Sequence, residues 1–249
     1  MITIKSAEDF ARMRRAGTVV ARIHEALRDK AAPGVSLVEL DRIAARIIED
    51  GGCTPNFLDY HGFPAYTCLS VNEQIVHGIP SGRALEEGDI LSVDAGAIFE
   101  GWHADAAVTF PIGEIDDDAA RLIEATERAM WVAIEMSLPG TRLGDIGAAI
   151  TEVAEGQGYG VVRTHTGHGI GLQMHEDPQV PNYGRPGKGM RLREGMAICI
   201  EPMFNLGTHE TRTLDDGWTV VTADGSLSAH WEHTVAINAD GPQVLTLTR

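Results

Sequence analysis

The sequence predicts a mixed α+β chain built from two related halves, each giving a helix pair and part of a sheet. Three observations predict it. Two helical patterns followed by strand-like runs occur twice in the same order. A Pro-Gly-x-x-Leu helix start recurs at a fixed offset. Acidic residues interrupt otherwise apolar strands in both halves.

The first helix begins after Ser6, which can cap it. Glu8 and Asp9 suit the positive end, and Phe10, Met13, Val20, Ile23 and Leu27 recur at helical spacing. The second begins at Ser36, where Glu39 three residues on predicts a reciprocal capping box. It carries Leu40, Ile43, Ile47 and Ile48 and stops at Gly51-Gly52. Strand-like runs follow at 67–76, 90–98 and 102–110, the last two joined by a turn at Glu100-Gly101. Helices are predicted over 119–136 and 143–155. Runs at 197–204, 218–222 and 229–237 close the chain.

Pro33-Gly34-Val35-Ser36-Leu37 reappears as Pro139-Gly140-Thr141-Arg142-Leu143, an offset of 139 − 33 = 106. At that offset Leu40 meets Ile146, Ile47 meets Val153, Glu49 meets Glu155 and Gly52 meets Gly158, while Asp94 falls one residue short of Glu201. An internal duplication with a pseudo-two-fold axis follows. No linker or composition shift separates the halves, about 1–112 and 113–249, so residues 1–249 are expected to form a single catalytic domain.

Composition excludes several classes. An apolar content of 43% supplies a sizeable core, and no run reaches the roughly 18 apolar residues of a membrane span. The charged N-terminal stretch lacks the features of a signal peptide. Cys53, Cys68 and Cys199 are few and not in CxxC spacing, which suits a reducing compartment and predicts a cytoplasmic protein. A net charge of −16 opposes nucleic acid or membrane as partner. Arg185, Lys188, Arg191 and Arg193 form a local basic exception: a solvated loop, or more weakly a transient contact with a ribosome. A monomer is the default.

The chemistry gathers in the acidic residues. With the turn at Glu100-Gly101, Asp105 faces Gly96, so Asp94 and Asp105 become diagonal neighbours on one face. Two buried carboxylates that close require a shared proton or a cation between them. Glu201 and Glu232 repeat the pattern in the second half. Four carboxylates converging on the axis would be balanced by two divalent ions, and such ligands suit Mn, Fe(II), Co or Zn rather than a thiolate site. His168 lies in a Gly-rich segment with His175 seven residues on, and His77 enters a turn after a strand. His103 shares a face with Asp105 and is expected to orient that carboxylate. His24, His209 and His230 are assigned to surface or core. Nucleophile-elbow, P-loop and dinucleotide motifs are missing from the sequence.

These residues, in this order, make the chain resemble the type I methionine aminopeptidases of bacteria along essentially its whole length. The segments carrying the resemblance are Tyr60-His61-Gly62-Phe63-Pro64, Cys68-Leu69-Ser70-Val71-Asn72-Glu73, His77-Gly78-Ile79-Pro80, Val93-Asp94-Ala95-Gly96, Gly167-His168-Gly169-Ile170-Gly171, Ile200-Glu201-Pro202-Met203, Asp216-Gly217-Trp218 and Ser228 through Thr234.

The resemblance implies the pita-bread fold, a curved antiparallel sheet backed by two helix pairs. It implies a two-metal site in which Asp94 binds one ion and His168 with Glu201 the other, Asp105 and Glu232 bridging. The implied activity is removal of the initiator methionine from nascent polypeptides when the second residue is small, by metal-hydroxide attack on the first peptide bond. Glu201 would move the proton, His175 would bond the scissile amide or the oxyanion, His77 would sit by the leaving nitrogen, and the substrate's amino terminus would lie next to Asp94. Tyr60, Phe63, Cys68 and Trp218 would form the methionine pocket, with His61 at its edge. Ile2 is bulky, so the chain would keep its own Met1.

The sequence departs from the family at Leu172 and Met174, where an Arg and an aromatic are usual. Met174 would then line a pocket of looser shape. Rival readings are a proline-directed aminopeptidase or prolidase, which usually carries a further N-terminal domain for which there is no room here, and a binding protein of the same fold that has lost its chemistry.

Overall fold

The computed structural model describes residues 2–248; Met1, whose retention the sequence predicts, lies outside them. Helix α1 (Ala7–Lys30) starts as expected: the Ser6 hydroxyl accepts from the Asp9 amide, and the Asp9 carboxylate accepts from the Ser6 amide. Its apolar face, from Phe10 to Leu27, is buried. Helix α2 (Leu37–Asp50) is capped by Ser36, which accepts from the Glu39 amide at 3.4 Å. Among the described residues only this half of the expected box forms. In α4 (Leu143–Glu155) the complementary half appears, Asp145 accepting from the Arg142 amide. Helix α3 (Asp117–Glu135) packs on α4 as α1 packs on α2.

Nine strands form the main sheet: β1 (Thr54–Pro55), β2 (Thr67–Val71), β3 (Ile90–Phe99), β4 (Trp102–Pro111), β5 (Gly167–Gly169), β6 (Glu176–Val180), β7 (Ala197–Ile200), β8 (Glu232–Asn238) and β9 (Gly241–Val244). Their order is β1-β3-β4-β8-β7-β5-β6, with β2 on the flank of β3 and β9 beside β8. Every pairing is antiparallel. The two halves meet where β4 pairs with β8. Glu100 and Gly101 have φ of 49° and 83°, the left-handed pair that a two-residue hairpin needs, and this turn fixes the β3–β4 register.

Three predicted runs are each broken in two. Residues 67–76 break after β2 because Asn72 adopts a φ of 59°, and Gln74–Val76 joins a small sheet with Thr211–Thr213 and Val220–Thr222. The run 197–204 breaks at Glu201-Pro202, where proline removes a ladder donor. The run 229–237 breaks at Trp231, whose amide donates to the Pro202 carbonyl. Met203–Asn205, Ser228–His230 and Gly160–Val161 thus form a third sheet. The predicted strand at 218–222 shortens because the Asp216 carboxylate takes the Trp218 and Thr219 amides into a turn.

The duplication is visible in main-chain bonding. Gly34 donates to Leu85 and Gly140 to Leu192; Leu37 donates to Arg83 and Leu143 to Met190; Gly88 donates to Ile112 and Gly195 to Ile237. Gly34 to Gly140 is an offset of 106, whereas Leu85 to Leu192 is 107. One residue is therefore gained in the second half after its helix start, and this brings Asp94 and Glu201 into equivalence.

Helix α1 is held close to the C-terminal segment at Gly17, where an added Cβ would sit 2.2 Å from the Leu245 carbonyl oxygen. Gly17→Ala should therefore cost about 1–3 kcal/mol through overpacking. Gly82→Ala, in open space, should stay within about 0.5 kcal/mol. Urea midpoints of the two variants check this, and equal midpoints would refute the close approach.

Candidate metal centre

The expected ligands reach one face through register alone. Asp94 pairs with Ala107, and Ala107 pairs with Glu232. His233 pairs with Ile200, so continuing that ladder by one residue brings Glu201 opposite Glu232. One row across the sheet is thus Asp94, Ala107, Glu232, Glu201. The adjacent row on the same face holds Gly96 opposite Asp105, then Thr234 opposite Cys199. Thr234 ties the row together, its hydroxyl accepting from the Asp105 amide at 3.0 Å and lying 3.6 Å from the Cys199 sulfur. Gly169 pairs with Ile198, which places His168 beside Cys199 at the row's end. The β-period of two therefore carries five separated residues to one patch.

Asp105 and Glu232 are buried, and Asp94 Oδ1, Asp105 Oδ1 and Glu232 Oε1 have no hydrogen-bond partner among the described residues. Three-residue sets of donors lie within 4.8 Å of one another: Asp94, Asp105 and Glu232; Glu201, His230 and Glu232; His168, Cys199 and Glu232. Burial, reinforced by the neighbouring carboxylates, pushes the Asp94, Glu201 and Glu232 carboxyls well above their ordinary range. Burial raises Asp105 to about 7, against the lowering by bonds from the Asp94 carboxyl and the Ala106 amide. His168 is driven down to about 3, chiefly by burial and then by His175, and is neutral. Its Nδ1 donates to the Gly169 carbonyl at 2.9 Å, so Nε2 presents a lone pair, 3.6 Å from Glu201 Oε1. Two acceptors facing each other beside orphaned carboxylate oxygens fit a divalent cation and are unfavourable without one.

All the residues expected in the pocket line one cavity of about 290 Å³ with the ligands: Tyr60, His61, Phe63, Cys68, His77, Met174, His175 and Trp218. Sequence reasoning missed Phe57, whose ring meets Phe63 edge-on at 6.5 Å. Met174 is buried against Phe57, Phe63 and Cys68, whereas Leu172 is exposed. The unusual Met174 is therefore a wall residue, and Leu172 belongs to the surface. His77 is left-handed at φ 59°, its ring packed edge-on against His165 and Trp218. Burial, then His165 and His175, lowers it to about 4. His103 does not orient Asp105: its Nδ1 bonds Asn56 Oδ1, because the side chain turns towards the first half's loop. His24 is core and His209 is exposed, but His230 faces Glu201 across 3.7 Å: it pairs with Met203 in the same register that sets His233 opposite Ile200, which makes it the diagonal neighbour of Glu201.

The loop carrying Met174 and His175 has an anchor that was also missed. Glu176 accepts from the Leu172 amide at 2.9 Å, from Thr3 at 2.5 Å and from Lys5 at 3.0 Å, the Lys5–Glu176 pair being almost wholly buried. Burial opposes ionisation of Glu176, but the Thr3 and Lys5 bonds outweigh it and hold the carboxyl below its ordinary range. Lys5 is lowered by burial.

Neutral imidazole and clustered carboxylates around orphaned lone pairs, opening on an apolar cavity, define a metal-dependent hydrolytic site. The chain belongs to metallopeptidase family M24, whose pattern matches residues 11–239. It is 51% identical to a methionine aminopeptidase of Clostridium acetobutylicum over 99% of both chains. The crystal structure of methionine aminopeptidase from Thermotoga maritima superposes with a TM-score of 0.98 at 42% identity, covering 99% of this chain and 100% of that one. The prolidase from Pyrococcus furiosus shares the fold at a TM-score of 0.81 and 24% identity, this chain covering 66% of it. The pita-bread architecture expected from the sequence is therefore the observed one.

Two outcomes follow. Folding raises the Asp105 pKa above its unfolded value, so ionisation destabilises the metal-free fold increasingly from about pH 4 to about pH 7. Stripped of metal at pH 8, Asp105→Asn should exceed the parent in stability by ~2–4 kcal/mol, a gap that narrows towards pH 5. Chemical denaturation at both pH values measures it, and a gap that widens on acidification would contradict the assignment. Glu176→Gln, which leaves Lys5 buried without its counter-charge, should lose about 3 kcal/mol in the same assay.

Proposed function

We propose that this chain is a metal-dependent aminopeptidase that removes the N-terminal methionine from polypeptides whose second residue is small, with nascent chains as its substrates. The observation that carries the reading is the joining of carboxylate floor and apolar wall in one cavity of about 290 Å³. That space suits one side chain and an amino terminus rather than a long peptide. Phe57, Phe63, Cys68, Met174 and Trp218 surround it with the polarizable and aromatic groups that a thioether prefers. Strong similarity to methionine aminopeptidases supports the same substrate.

Asp94, Asp105, His168, Glu201 and Glu232 would hold two divalent ions, Mn, Fe(II), Co or Zn, because four carboxylates and one imidazole match that charge and donor type. When bound, such ions polarise a carbonyl and acidify water. The remaining steps belong to the chain. Glu201, which lines the cavity with the other acids, accepts the proton of the attacking water and returns it to the leaving amine. His175 Nδ1 lies 2.7 Å from the Tyr60 hydroxyl. With Tyr60 donating, Nε2 carries the proton and is free to bond the developing oxyanion. His77, neutral and fixed between His165 and Trp218, stands near the leaving nitrogen. Asp94 receives the substrate's ammonium, and His61 closes the pocket's edge.

A proline-directed activity is less favoured because the prolidase similarity is one of fold alone. A non-catalytic role is disfavoured because every expected ligand is present and convergent. Among the described residues no helix is long and apolar enough to cross a membrane. The proposal extends to a monomeric cytoplasmic enzyme that touches ribosomes transiently through its basic strip, of which Arg191 is already bonded to the Gly140 carbonyl.

Protein stripped with a chelator should release no methionine from Met-Ala-Ser and should recover on adding Mn or Co. Ala-Pro-Ser should remain intact throughout. Cleavage of the proline peptide alone would move the chain to the proline-directed relatives. Asp105→Asn should abolish turnover in a folded protein, and unimpaired turnover would sink the ligand assignment.

A further inference from the structure

His230 has no place in the ligand set or the catalytic steps above and does not line the cavity, yet it stands beside Glu201 and Glu232. It ends the strand Ser228–His230, just before the chain crosses at Trp231 into β8, where Glu232 points to the metal centre. It is 1% exposed, and neither ring nitrogen has a hydrogen-bond partner among the described residues. His103, His168, His175 and His233 each engage a ring nitrogen, with Asn56, Gly169, Tyr60 and Thr246 respectively. A buried imidazole with both nitrogens idle is therefore an anomaly that calls for a ligand.

The geometry names that ligand. His230 Nε2 lies 3.7 Å from Glu201 Oε2, while His168 Nε2 lies 3.6 Å from the other oxygen, Oε1. Both separations exceed a hydrogen bond, whose N···O distance is about 2.7–3.2 Å. Both approach the spacing of two donors that share an ion at about 2.0–2.2 Å each. Glu201, His230 and Glu232 each offer an atom within 4.8 Å of the others. His230 thus stands to Glu201 as His168 does, on the opposite side of the carboxylate.

We propose that His230 is an additional nitrogen ligand of the centre, its Nε2 joining Glu201 and Glu232 around a transition-metal cation. Glu201 is then flanked by imidazole on both sides, and the centre at that end is richer in nitrogen than carboxylates and His168 alone would make it. Imidazole favours Zn, Fe and the later first-row ions, whereas oxygen donors suit Mn. His230 accordingly biases the site away from Mn. This inference rests on the metal-dependent reading above.

The test is metal binding by the stripped full chain, comparing the parent with His230→Gln and His230→Leu. Equilibrium dialysis gives the Co(II) and Mn(II) affinities, and the visible spectrum reports the Co(II) ligand field. Both variants should bind Co(II) at least about tenfold more weakly, with a shifted d–d band and a smaller loss for Mn(II). Unchanged affinity and spectrum in His230→Gln would overturn the proposal. So would recovery of the parent's values by Gln but not by Leu, since His230 would then be a hydrogen-bonding residue that positions Glu201. Should His230→Leu fail to fold, the near-isosteric Gln variant decides alone. If the parent itself takes up neither ion, the metal reading falls as a whole, which separates that failure from one confined to His230.

Discussion

Repulsion among buried carboxylates is the constraint around which this molecule is arranged. Asp94, Asp105, Glu201 and Glu232 are gathered at the junction of the two halves, and burial alone makes their ionisation unfavourable. A fold that holds them together without a cation stores that cost. A fold that receives cations converts it into affinity, because the ligands are already aligned and need no reorganisation. The surrounding sheet must be rigid enough to keep the acids from moving apart, and central antiparallel strands with paired neighbours on both sides provide that rigidity.

Duplication is an economical way to build such a cluster. Each half places one acid on a strand that follows its helix pair, and a second acid on the neighbouring strand. Pairing β4 with β8 then brings the two sets face to face. The matched main-chain bonds at Gly34 and Gly140, and at Gly88 and Gly195, show the two halves solving the same local problems with the same turns. The second half also diverges: it brings His168 beside the acids, and it breaks its strands at Glu201-Pro202 and Trp231. Beyond those breaks the same two runs continue in a third sheet at unchanged register, which sets His230 diagonal to Glu201.

The pocket is built by different means. Its walls come from loops, and their order depends on anchors placed far away in sequence. Lys5 and Thr3 reach Glu176, which in turn gathers the Leu172 amide, so the segment bearing Met174 and His175 is fastened to the start of the chain. Met174 brings a flexible side chain where an aromatic would be stiffer, but its burial among Phe57, Phe63 and Cys68 limits that freedom. Sulfur within a ring-lined cavity also offers a thioether substrate a chemically similar surface.

The sequence by itself determined the helices, the β3–β4 hairpin, the duplicated plan and the face shared by Asp94 and Asp105. These rest on periodicity, capping residues and a left-handed two-residue turn, all of which act over a few neighbouring residues. Acids inside apolar strands also singled out Glu201 and Glu232, which the fold brings into one cavity with Asp94 and Asp105, since local propensity disfavours them there. The tertiary structure decided that the run at 229–237 breaks at Trp231, opposite Pro202, whereas Pro202 and the left-handed Asn72 mark the other two breaks locally. It also decided that His103 turns to Asn56, that Glu176 is tied to Lys5, and that His230 faces Glu201. Each of these is a contact between residues far apart in the chain, settled by the packing of sheets against one another, which periodicity does not encode.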